Sequence, residues 1–171
     1  MGDILAIAQI IFTRPSTLAV LAVGTLLAVT VVPVLRRSLG WRSGWTATAG
    51  VALAGLLAAV FGRETSFTNS DSWWQTCEWE GASFSTPQEL LNVLLFMPFA
   101  FCAVLGTGRP VGVLLGSVGI SLLVEIAQSV SQLGICTSGD LLHNASGAAV
   151  AVGLGLGARR VLDALRRRRA E

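Results

Sequence analysis

The sequence predicts an all-α, polytopic membrane protein, and three observations carry that prediction. The 171-residue chain is 53% hydrophobic and 13% charged, with a mean hydropathy of +0.68, whereas a water-soluble domain of this size carries roughly a quarter charged residues. Several apolar stretches approach the ~20 residues that an α-helix needs to cross a bilayer. The twelve basic residues, all arginine, gather at particular connections and at the C-terminus. Together these give a single membrane domain over residues 1–171, five crossing helices and no separate soluble module.

The elements follow in order. Ile4 to Phe12 is apolar but too short to cross, and Arg14 and Pro15 stop it, which predicts a short interfacial N-terminal helix. Thr17 to Leu35 is the first span, closed by Arg36, Arg37 and Arg42, with Trp41 and Trp45 suited to the headgroup belt. Trp45 to Phe61 is the second, with Gly50, Ala54 and Gly55 as a small surface for close helix contact. Arg63 to Glu89 is the one long polar segment, and it holds Trp73, Trp74 and Trp79, which suit either the bilayer interface or a clamp on a sugar or acyl chain.

Thr86-Pro87-Gln88-Glu89 reads as a helix start, with Thr86 as cap, Pro87 in the first helical position and Glu89 completing a capping box. The third span then runs to about Leu105, with Pro98 expected to kink it and free a carbonyl near Leu94. The turn Gly106 to Pro110 makes spans three and four antiparallel neighbours, and Gly112, Gly116 and Gly119 are expected to pack span four closely against another helix. Span five runs from Asp140 to about Gly157, with Gly147, Ala151 and Gly155 as a smooth stripe.

Alternate connections place Arg36, Arg37, Arg42, Arg109, Arg159, Arg160 and Arg166 to Arg169 on one side, and only Arg14 and Arg63 on the other. The excess of arginine marks the cytoplasmic side, so the N-terminus is expected outside and the C-terminus inside. The basic tail suits an anchor against anionic lipid, and no nucleic-acid partner is expected. The net charge of +2 is uninformative by itself.

Acids and amides inside apolar spans mark the candidate site, because an ionisable group in hydrocarbon requires a partner, a wet cavity or a task. Glu125 and Gln128 share one helical face, as do Asp140 and Asn144. With Asn92 they would line a polar pocket open to the outer side, with Glu125 about 12 Å below the outer end of its span. Cys77 and Cys136 fall on the oxidising outer side and are expected to form a disulfide that closes the loop over the pocket, with two free thiols as the alternative. Cys102 is expected to be free and buried. His143 beside Asp140 and Glu125 falls short of a metal site, since no repeated His motif is present, and no cofactor is expected.

Three short patterns, Asn92-Val-Leu-Leu-Phe96-Met-Pro98, Glu125-Ile-Ala-Gln128 and Asp140-Leu-Leu-His143-Asn144-Ala-Ser-Gly147, resemble the VanZ-like family of bacterial membrane proteins. The resemblance covers about Gln88 to Gly157 and owes nothing to the first two spans. It implies a multi-pass protein of the cell membrane, in a family associated with resistance to glycopeptide antibiotics such as teicoplanin. The implied partners are membrane lipid and a lipid-linked envelope precursor or a lipophilic glycopeptide. The sequence departs from the family pattern at Phe99-Ala100, where a small glycine is common after the proline, and in the turn before Asp140, which lacks an arginine and a second acid.

Three functions are therefore in competition. One is an envelope protein that binds or modifies a ligand at Asn92, Glu125, Gln128, Asp140 and Asn144. The second is a membrane enzyme with Glu125 and Asp140 as catalytic acid and base. The third is a helical bundle in which the polar residues only join helices.

Overall fold

The computed structural model describes residues 15–61, 77–81, 83–131 and 136–169. The chain is an all-α polytopic membrane protein. Five helices make up nearly all of the described chain: α1 (Pro15–Leu39), α2 (Ser43–Phe61), α3 (Pro87–Thr107), α4 (Pro110–Ser131) and α5 (Ser138–Arg168). Four of them, α2 to α5, are long and apolar enough to cross a membrane, and α1 contributes the shorter apolar stretch Thr17–Val32. The expected interfacial helix at Ile4 to Phe12, together with Trp73 and Trp74, lies outside the described residues.

Helix ends follow local chemistry. Thr86 caps α3 by accepting from the Glu89 N–H while the Glu89 carboxylate accepts from the Thr86 N–H, the capping box expected from the sequence. Gly108 closes the same helix in the left-handed conformation, φ 68° and ψ 19°, and its N–H donates to the Val104 carbonyl. A glycine meets that φ without Cβ strain. Pro98 is accommodated inside α3, which remains helical from Pro87 to Thr107, beside a small cavity of about 220 Å³ bounded by Met97, Phe101, Ala151 and Leu154.

Packing differs from the order of the chain. α3 rests mainly on α5 and on α2, and only slightly on α4, so the expected side-by-side pairing of spans three and four is corrected: the short turn joins them, but α5 occupies the contact. The reason lies in side-chain size. Where lipid tails are as apolar as the helices, association depends on how closely backbones approach, and α5 presents Gly147, Ala148, Ala151 and Gly155 to α3. A Cβ on Gly147 would stand 1.9 Å from the Val93 carbonyl oxygen, and one on Gly155 3.1 Å from the Val104 Cβ. α1 and α2 meet the same way, through Gly24 on Ala54 and Gly50 on Ala28.

The glycines of α4 are a further correction. Cβ atoms added at Gly116 and Gly119 would meet nothing within 4 Å, and one at Gly112 would meet only the Arg109 side chain. The buried face of α4 is instead Val113, Ser117, Ser121, Val124, Glu125 and Ser129, positions three or four apart that fall on one side of a helix. Trp45, near the start of α2, is partly buried against the apolar core.

α5 continues well past Gly157. At 1.5 Å per residue its 31 residues extend about 46 Å, against a hydrocarbon thickness of about 30 Å. Its projecting end carries Asp163, which pairs with Arg42 at 2.7 Å and with Arg159 at 3.8 Å. Arg42 also donates its N–H to the Gly106 carbonyl and Arg159 reaches the Val104 carbonyl, so the α1–α2 and α3–α4 connections are tied together at the arginine-rich end.

At the other end, β1 (Cys77–Glu78) pairs in parallel with β2 (Cys136–Thr137) in the register Cys77 to Cys136 and Glu78 to Thr137. The side chain of Cys77 is not among those described. Cys102 is free and buried in α3.

Candidate functional site

The sequence places Asn92 one turn into α3, Glu125 toward the C-terminal end of α4 and Asp140 in the first turn of α5. All three consequently lie at the same end of the bundle, away from the Arg42–Asp163 tie. Asn92 is buried and donates its amide to the Asp140 carboxylate, which joins α3 to α5. One turn along α5, Asn144 donates to the Ser121 hydroxyl at 2.9 Å and joins α5 to α4. Three of the expected site residues, Asn92, Asp140 and Asn144, are thus engaged in interhelical bonds, each of the kind that contributes roughly 1 kcal/mol within a membrane.

Glu125 is placed differently. It is 4% exposed, and among the described residues its hydrogen-bond donor is the Thr137 backbone N–H, at 3.3 Å from Oε2. The Asp140 carboxyl group is close enough to interact with it electrostatically. No arginine among the described residues pairs with either acid. Gln128 lies one turn beyond Glu125, half-buried, and has a partner of its own.

The structure adds residues that sequence reasoning missed. Ser117, Ser121, Glu125 and Ser129 form a buried polar stripe down α4, and their uniform spacing of four was visible in the sequence. Ser117 satisfies itself on the Val113 carbonyl, which is how a hydroxyl is commonly accommodated inside a helix. His143, 3% exposed, acts as a strut: its Nε2–H donates to the Ser83 carbonyl, and its ring stands edge-on to Phe84 at 5.2 Å and 79°. That bond requires a proton on Nε2, while Nδ1 is buried with no partner among the described residues. Among the described residues no cluster of three or more His, Cys, Asp and Glu could hold a metal ion.

The end of the long polar segment is laid over this constellation. Ser138 at the start of α5 bonds the Glu80 N–H and carbonyl at 2.9 and 2.8 Å, Glu78 pairs with Thr137, and Ser83 lies on His143. Thr137 caps α5 by accepting from the Asp140 N–H at 3.1 Å, so the strand that carries the loop also sets the first turn bearing Asp140. A separate cavity of about 390 Å³ lies at the opposite end of the bundle, bordered by Trp41, Phe99, Arg109, Gly112 and Gly116 among others.

With this geometry in place, the comparison with known proteins is decisive on one point. The family model of VanZ/LLP1 matches residues 19–159. The chain belongs to the VanZ/LLP1 family. The match takes in α1 and α2 as well as the three motif-bearing helices, so the family relationship extends further than the Gln88 to Gly157 region where the motifs lie. No curated protein and no solved structure matches the chain. In this VanZ/LLP1 protein the three motifs are brought to one end of the bundle, where Asn92 of the first touches Asp140 of the third and Glu125 of the second lies against Thr137, just before it.

Proposed function

We propose that this VanZ/LLP1 protein engages a lipophilic or lipid-linked ligand of the cell envelope in a polar pocket at the Glu125 end of the bundle, and through it contributes to glycopeptide resistance. The observation that carries the proposal is the state of Glu125. The two amides have helix-joining bonds that account for their presence, whereas this buried carboxyl group has one long backbone bond and no cation among the described residues. An ionisable group is a costly way to do what glutamine would do. The loop laid over the site supports a pocket roofed from that side.

The arginine excess at the opposite end supports an orientation with the site facing outward, the N-terminus outside, the C-terminus inside and five crossings in the cell membrane. A Cys77–Cys136 disulfide across the roof belongs to the same proposal. It is supported by the register that sets the two residues opposite each other. Mass spectrometry with and without reduction tests it, and full alkylation of both thiols before reduction removes it.

The functional test is the pair Glu125→Gln and Asp140→Asn in a glycopeptide-susceptible host. Loss of teicoplanin resistance at unchanged membrane abundance is expected, and analysis of envelope lipids and peptidoglycan precursors then separates catalysis from binding. Unchanged resistance in both variants leaves only the interhelical role.

A further inference from the structure

The polar cluster at the Glu125 end is unbalanced in a specific way. Several of its buried acceptors are short of donors among the described residues. Glu125 offers two carboxylate oxygens and receives one N–H from Thr137; the Asp140 carboxylate receives one side-chain donor, from Asn92. Asn144, 5% exposed, donates one of its two amide hydrogens to Ser121 and leaves Oδ1 buried with no partner among the described residues, and the buried Nδ1 of His143 likewise has none there.

These acceptors share a neighbourhood. Asp140, His143 and Asn144 lie on one face of α5, and Ser121, which holds Asn144, is one turn from Glu125 on the facing side of α4. A buried acceptor with no donor loses the hydrogen bond it had with water, and two carboxyl groups in one site repel unless a cation or proton lies between them.

We infer that the site takes a primary ammonium group, presented either by an aminophospholipid headgroup or by an amino sugar. An ammonium supplies what the cluster lacks: three N–H donors that can be shared among carboxylate and neutral oxygen or nitrogen acceptors, and one positive charge against two acids. A quaternary ammonium carries the charge without the donors, and a hydroxyl carries a donor without the charge. This inference rests on the ligand-binding role proposed above and specifies the chemistry of its ligand.

The experiment uses the purified full-length protein and two matched pairs of probes. Phosphatidylethanolamine is compared with phosphatidylcholine in nanodiscs made otherwise of phosphatidylglycerol, and octyl glucosaminide with octyl glucoside in detergent, with bound probe counted by native mass spectrometry. The amine-bearing member of at least one pair is expected to bind about tenfold or more tightly, the ratio that one charge-assisted set of hydrogen bonds provides. Preference within the lipid pair identifies an aminophospholipid, and preference within the glycoside pair an amino sugar. Glu125→Gln and Asp140→Asn should each abolish the preference. Equal binding within both pairs by the native protein overturns the inference, whatever the variants do. If that result accompanies loss of resistance in Glu125→Gln, the binding role stands and only the ammonium is refuted; if resistance also persists in both variants, the two fall together.

Discussion

Replacing Gly147 by alanine should separate α3 from α5 at the level of the site. The added Cβ would lie 1.9 Å from the Val93 carbonyl oxygen and 2.8 Å from the Val93 carbonyl carbon. Ordinary contact begins at 3.4 Å, so the shortfall is about 1.5 Å, and the obstacle is backbone that no rotamer change can remove. Overpacking of this kind costs about 3 kcal/mol, against which alanine regains about 1 kcal/mol of helix propensity. The net loss of about 2 kcal/mol corresponds to a fall in melting temperature of about 4–8 °C for a chain of this size. Thermal unfolding of the detergent-solubilised protein can be followed through alkylation of Cys102, which is buried in α3 and free. Gly153→Ala on the same helix is the control, since nothing lies within 4 Å of its added Cβ, and it should leave the melting temperature unchanged or slightly raised. If Gly147→Ala melts with Gly153→Ala, close contact at Val93 does not hold the two helices together and the packing argument is wrong.

Other parts of the structure make independent predictions. Ser121→Ala removes the acceptor of the Asn144 amide and should cost about 1 kcal/mol, while in Asn144→Leu the same serine change should cost little; a double-mutant cycle by thermal unfolding measures the difference, and strict additivity rejects the pair. Thr86→Ala removes the cap of α3 and should cost about 1 kcal/mol, read as a lower unfolding temperature or as faster exchange of the Glu89 amide that the Thr86 hydroxyl holds, and unchanged exchange there refutes it. Asp163→Asn weakens the partly exposed tie between α5 and Arg42, and its small destabilisation should shrink as salt rises from 50 mM to about 1 M, where the screening length falls to about 3 Å. A salt-independent effect would place the contribution of Asp163 elsewhere.

The sequence by itself determined the membrane class, the positions of the apolar helices and the start of α3, because each depends on residues adjacent in the chain: a run of apolar side chains and a Thr-Pro-x-Glu cap. The same locality made the acids and amides conspicuous, since a carboxylate in an apolar run is anomalous whatever surrounds it. It also carried the four-residue recurrence of Ser117, Ser121, Glu125 and Ser129, which is legible as a stripe once its face is known to be buried.

Only the tertiary structure decided which helices meet. The glycines of α4 and α5 look alike in sequence, yet Gly147 and Gly155 on α5 meet Val93 and Val104 while Gly116 and Gly119 on α4 meet nothing. Neighbour choice depends on how whole surfaces fit, and in a membrane, where burial in another helix and exposure to lipid are both apolar, hydropathy does not distinguish the two outcomes. For the same reason the division of labour among the polar residues, with Asn92 and Asn144 occupied between helices and Glu125 left with a single backbone donor, was fixed by partners arriving from other elements, some of them dozens of residues away in the chain.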